Sequence, residues 1–390
     1  MNCNFQKSLR GLDRLEQFRR RIVCAVFFAV VAVVSLMVHD AHAQSCTPYG
    51  NAPATLTGSD NPIVPLCTGG QVLGPWSDSD GSPRYSCLYE STNASTSNPL
   101  PLVVFLHPSL ATADTLEFGT NILSFLNTAN ITDNSSKLGF IALAPEGRDT
   151  THFYPDGDAS GPGWDNWYRQ FNPSGDVVVK GVTYKENVDA AAIDHFIAVE
   201  VATGKVDTNR IYVTGWSNGA AMSYLYGTSR PNIAAIAPYS VPNPWAAFND
   251  PCIQTPVATK PKDISQLQIY NFFVPTNHFH NQCDISGICP NGEFMLRQLI
   301  PTGVAVQDTL LDWTGTPFPS VTPGPVPTNA CDDFCGTNPL ASIIPDPGAT
   351  EGLLNHIRWP RNYTIAILDF FRAHPLSARP NVKNGAVFTP

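Results

Sequence analysis

The pentapeptide Gly215-Trp216-Ser217-Asn218-Gly219 constrains this chain more than any other feature, because its flanks dictate how the backbone must run through it. Before it, Arg210-Ile211-Tyr212-Val213-Thr214 is a short β-branched and aromatic run that reads as a strand. After it, residues 220–226 can continue as a helix. A strand that turns into a helix over so few residues holds its serine in a strained conformation, and a glycine two residues to either side relieves clashes where the chain passes too close for a Cβ. The serine hydroxyl is then lifted out of the end of the strand.

The rest of the chain supplies neighbours for that strand. Residues 100–106 and 139–144 are continuous apolar runs, as are 233–237 and 267–274, and each reads as a buried strand. Residues 84–89 alternate and read as an edge strand. From 186 to 202, Val188, Ala192, Ile193, Phe196, Ile197 and Val201 fall at helical spacing. Strands alternating with helices predict an α/β fold whose mostly parallel sheet is covered on both faces. Residues 302–347, rich in Pro, Gly and Thr, read as an excursion over the sheet rather than a linker.

The N-terminus reads as an export signal. Arg19, Arg20 and Arg21 precede an apolar run over 22–38, and Ala41-His42-Ala43 supplies a small-x-small cleavage site. The expectation is a signal over 1–43 and one catalytic domain over 44–390, secreted, with a disordered or disulfide-stapled arm over about 44–82; an uncleaved membrane anchor is the alternative. Cysteine usage agrees with an oxidising destination: Cys46, Cys67, Cys87, Cys252, Cys283, Cys289, Cys331 and Cys335 remain after the signal, an even set. No close Cys-x-x-Cys pair suggests structural zinc. A net charge of −9 disfavours nucleic acid and anionic membranes as partners. A monomer is expected.

A serine nucleophile needs a base, an acid to orient that base, and donors for the oxyanion. In chain order the acid and then the histidine should follow the serine. His356, on a loop before a helical segment, is the expected base. Asp284, beside Cys283, is the first choice of acid, with Asp312, Asp332, Asp333 and Asp346 as alternatives. The oxyanion donors are expected at Asn218 and, after the strand at 100–106, at Ser109, because Pro108 has no N–H. His107 reads as a packed structural histidine, and His278 with His280 lacks the third ligand of a metal site. Trp164, Trp167, Trp216 and Trp359 are candidate walls of a substrate pocket, with core packing as the alternative. No metal or organic cofactor is expected.

The stretch Val206-Asp207-Thr208-Asn209-Arg210-Ile211-Tyr212-Val213-Thr214-Gly215-Trp216-Ser217-Asn218-Gly219-Ala220 resembles the polyhydroxybutyrate depolymerase and feruloyl esterase group of α/β-hydrolases. His356-Ile357-Arg358-Trp359-Pro360 and Gly163-Trp164-Asp165-Asn166-Trp167 are similar to that group as well, and the likeness covers roughly residues 84–372. The chain departs from it where His-Gly-Cys becomes His107-Pro108-Ser109 and where the acid loop His-Gly-Thr-x-Asp becomes Val274-Pro275-Thr276-Asn277-His278. The resemblance implies an α/β-hydrolase fold and an ester substrate, either polymeric or small and soluble. A serine peptidase on the same fold and an inactive extracellular binding protein are the competing readings.

Overall fold

Continuous apolar runs have no polar face to offer water, so they belong at the centre of a sheet, and the runs at 100–106, 139–144 and 233–237 supply strands there. The computed structural model describes residues 63–78, 81–150, 161–164, 177–179, 182–184, 188–241, 274–281, 306–311, 356, 359 and 364–378, all within the unit Thr47–Pro390. Strands β1 (Gln71–Ser77), β2 (Pro83–Glu90), β3 (Leu100–Leu106) and β4 (Ile141–Pro145) come first. Two short hairpins follow, β5 (Arg148–Thr150) with β6 (Gly161–Gly163), and β7 (Val177–Val179) with β8 (Val182–Tyr184). Then come β9 (Val206–Trp216), β10 (Ala235–Tyr239), β11 (Thr276–Asn281) and β12 (Val306–Leu311). The helices are α1 (Thr115–Phe118), α2 (Val188–Ala202), α3 (Asn218–Ser229) and α4 (Thr364–Ala373).

Eight of these strands form one sheet in the order β1-β2-β4-β3-β9-β10-β11-β12. From β4 to β12 every pairing is parallel, and β2 is antiparallel to both β1 and β4. Side chains alternate along each strand, so the sheet divides its core by residue parity. Leu102, Val104 and Leu106 of β3, with Ile211 and Val213 of β9, pack against Ile193 and Phe196 of α2 and Met222 of α3. Val103, Phe105 and Tyr212 point the other way, toward Phe370 and Phe371 of α4. The Tyr212 and Phe371 rings stack at 4.6 Å. Such rings are worth about 3–5 kcal/mol each when truncated to alanine.

A buried ion cluster ties the antiparallel edge to the site. Arg84 of β2 bonds Asp78 at 3.3 Å, Asp189 at the start of α2, and the carbonyl of Glu146 at 3.1 Å. Arg148 joins it, 3.9 Å from Asp78. Buried charges of this kind are tolerated only as a complete set, and removing one partner costs about 3–5 kcal/mol.

The strand order and the direct passage of β9 into α3 are those of an α/β-hydrolase fold. Three elements depart from the sequence expectation. The expected strand at 267–274 falls outside the described residues up to 273, and the observed strand, β11, begins beyond it at Thr276. Residues 71–77, placed in an aperiodic arm, form β1 and displace β2 from the edge; β1 is mostly exposed, so it carries little apolar alternation to read. Val306–Leu311, inside the Pro- and Gly-rich stretch, forms β12 against β11. The arm is stapled to β2 by the disulfide Cys67–Cys87. No helix among the described residues is long and apolar enough to cross a membrane.

Candidate active site

Ser217 ends β9 and begins α3, and its backbone sits at φ 55°, ψ −115°, outside the regions an L-residue adopts without strain. Close approaches account for both glycines. A Cβ on Gly215 would strike the carbonyl of Gly219, and one on Gly219 would strike the carbonyls of Leu106 and His107. The N–H of Ser217 donates to the Tyr239 carbonyl on the neighbouring strand at 3.0 Å. Serine at a helix start usually caps the first turn. Here the side chain makes no capping bond, and Oγ lies 2.8 Å from Nε2 of His356.

His356 is held at two further points. Its carbonyl accepts from the indole N–H of Trp216 at 2.7 Å, so the residue before the serine tethers the histidine's main chain. Its Nδ1 lies 2.7 Å from Oγ of Ser240. Trp359, three residues on, packs edge-on against Phe105 at 5.8 Å and Tyr239 at 5.3 Å, and against Trp216 at 5.9 Å. An aromatic box built from three strand ends thereby docks the histidine segment.

The loop after β3 is fixed from below. His107 is fully buried; its Nδ1 faces the Pro108 carbonyl at 2.8 Å and its Nε2 accepts from the Gly147 N–H at 2.8 Å. These partners assign a neutral ring with its proton on Nδ1. Burial pushes the imidazole down to about 4 and pushes the neighbouring Glu146 carboxyl up to about 8. Between those values their 3.5 Å approach is a contact of uncharged groups rather than an ion pair. Glu146 also accepts the Ala113 N–H at 2.7 Å, which anchors the far end of the loop.

Asn218 and Trp164 join this loop to the turn. The Asn218 side-chain oxygen accepts the Trp164 N–H at 2.7 Å, and the Trp164 indole donates to the His107 carbonyl at 2.8 Å. Ser109 is half-buried on the same loop. Leu110, next to it at φ 60°, has its N–H committed to the Pro162 carbonyl at 2.7 Å.

The structure thus brings together Ser217, His356, Asn218, Trp216 and Trp359 from the residues the sequence singles out. Of the two parts expected for the tryptophans, pocket wall or core packing, burial of three of them fits the second. Trp164, Trp216 and Trp359 are 2%, 7% and 2% exposed, with each indole N–H bonded to the protein, the last to Thr364 at 3.2 Å. A buried indole needs an acceptor, and for Trp164 and Trp216 the acceptors are the main-chain carbonyls of His107 and His356 in the site itself. Asp284, Asp312, Asp332, Asp333, Asp346 and Trp167 lie outside the described residues, as does the His280 side chain. His278 is fully buried on β11, edge-on to Tyr224 at 6.1 Å. Among the described residues, Cys67, Cys87 and Asp114 have ligand-type atoms close enough for a metal, but the cysteines are bonded to each other.

Ser240 is absent from the sequence-derived set. Its one signal is position: it follows a parallel strand, and carboxyl ends of such strands are where sites gather in α/β sheets. The apolar run at 233–237 stops short of it.

No protein-family model and no curated protein matches the chain. Among solved structures it is similar to a thermostable esterase at 16% identity and TM-score 0.42, over 80% of this chain and 64% of that one. It is also similar to an acetyl xylan esterase from Aspergillus awamori at 16% identity and TM-score 0.43, over 60% and 80% of the two chains. A butyrate-bound esterase from the planctomycete Thermogutta terrifontis matches at 11% identity and TM-score 0.41, over 64% and 84%. The chain spans about two thirds of the length of the thermostable esterase.

Proposed function

We propose that this chain is a secreted carboxylic ester hydrolase that works through an acyl-enzyme on Ser217. One observation carries the reading: the Ser217 hydroxyl, held in a strained turn rather than used as a helix cap, lies 2.8 Å from Nε2 of a histidine that is itself clamped. That is the geometry of a nucleophile beside its base.

In the first step His356 Nε2 takes the Ser217 proton as Oγ bonds to the ester carbonyl carbon. The carbonyl π pair moves to oxygen, where the N–H groups of Asn218 and Ser109 receive it. Asn218 is the first residue of α3, so its N–H has no acceptor within the helix. The Leu110 N–H is already committed, which favours Ser109 as the second donor. Collapse of the oxyanion expels the alcohol, which takes the proton from His356. Water then repeats the sequence on the acyl-enzyme and releases the acid.

The sequence resemblance favours a polyester of hydroxyalkanoate type, or feruloyl or acetyl esters of polysaccharide. A fluorophosphonate probe tests the nucleophile. Wild type should label and Ser217→Ala should not; an unlabelled wild type, or labelling that survives the substitution, overturns the assignment. Polyhydroxybutyrate, methyl ferulate, acetylated xylan and a peptide series assayed side by side then separate the substrate classes.

A further inference from the structure

We infer that Ser240 is a positioning residue of the His356 imidazole, one that accepts from Nδ1–H beside the acid expected to orient the base and helps keep Nε2 free to receive the proton of Ser217. This rests on the reading of Ser217 and His356 as nucleophile and base.

The inference follows from what each ring nitrogen faces. Nε2 lies 2.8 Å from Ser217 Oγ and Nδ1 lies 2.7 Å from Ser240 Oγ. A neutral imidazole carries one proton. If it sat on Nε2, the ring could not take the serine's proton. It must sit on Nδ1, and Ser240 Oγ, 2.7 Å away, is then placed to accept it. A hydroxyl can accept this bond and still donate its own proton elsewhere, so the arrangement demands no charge at Ser240.

The backbone holds that hydroxyl still. Ser240 is fully buried immediately after β10. Its N–H donates to the Phe279 carbonyl of β11 at 2.8 Å, while Tyr239 before it pairs with Trp216 of β9. It is thus locked between the strand that carries the nucleophile and the next strand outward. Its φ of 60° lies in the left-handed region, which serine adopts only under constraint. Observed strain of this kind next to reacting groups is where positioning is expected.

The test uses the full chain with Ser240→Gly and Ser240→Ala. Glycine accepts the left-handed φ and relieves the strain; alanine keeps it; neither has an Oγ. If the hydroxyl positions the ring, kcat for p-nitrophenyl acetate falls roughly 10- to 100-fold in both variants, as a misaligned base would cause. KM should stay within about twofold of wild type, because no substrate contact is removed. Nitrogen-15 histidine spectra, with His356 identified by its loss in His356→Gln, should show Nδ1 protonated in the neutral wild type and a tautomer mixture in both variants.

The inference is overturned if both variants keep wild-type kcat and tautomer, or if only alanine loses activity, which would make backbone strain the cause. If wild type hydrolyses no ester, the hydrolase reading falls by itself. The tautomer spectra still decide whether Ser240 orients the ring.

Discussion

The carboxyl ends of β9 and β10 are neighbours that reach the same imidazole by different means. Each ends on a serine with positive φ, 55° at Ser217 and 60° at Ser240, and each presents a hydroxyl to one nitrogen of His356. At Ser217 the chain doubles back into α3, so close that Gly215 and Gly219 have no room for a Cβ. At Ser240 the flanking residues are Tyr239 and Val241, both fully buried and large. Glycine is thus a signature of the close-packed turn, and not of the strained serine itself.

Breaking the first strand end should have the largest effect. Ser217→Ala should lower kcat by about 10⁴-fold or more, as loss of a nucleophile does, with the thermal midpoint unchanged, since alanine suffers the same φ. Gly219→Ala should instead fail through the fold. Its Cβ meets rigid carbonyls of β3 and the loop beyond, so about 3 kcal/mol of stability should be lost in denaturant unfolding. A variant that unfolds like wild type would show that the turn can open, and the contrast with Ser240 would weaken.

Smaller changes sharpen the comparison. Trp216→Phe keeps an aromatic ring against Tyr239 and Trp359 but removes the bond to the His356 carbonyl along with part of the ring packing. A net hydrogen bond of about 1 kcal/mol predicts roughly a fivefold loss in kcat/KM, measured on a soluble ester. Ser240→Gly should leave stability level or raise it by up to about 1 kcal/mol, because glycine adopts the left-handed region freely. A clear drop in its midpoint would show that the Ser240 hydroxyl also holds the His356 segment against the sheet.

The same contrast explains what could be read from the sequence. Strands β3, β4 and β9 are buried on both faces, so their apolar runs announce them; β1, mostly exposed, and β12, inside a Pro- and Gly-rich stretch, announce nothing comparable. Ser217 is legible because sterics force glycines around it, and His356 because chain order leaves few histidines after it. Ser240 lies among ordinary core residues, and only the register of β10 on β9 brings it to the ring. The tryptophans are visible as residues but not as braces, since an indole's acceptor is chosen by the fold. Asp284 and its rivals lie outside the described residues.

His107 and Glu146 beneath the oxyanion loop have a consequence for acidity. With the imidazole pushed to about 4 and the carboxyl to about 8, both are uncharged between those values, and neither adds a charge of its own beneath the loop there. Unfolding would release them to titrate near their ordinary values of 6.5 and 4.5. Acidification from 6.5 toward 4 therefore weakens the fold through His107, while a rise from 4.5 through 8 weakens it through Glu146. The two penalties run in opposite directions and cross in weakly acidic water.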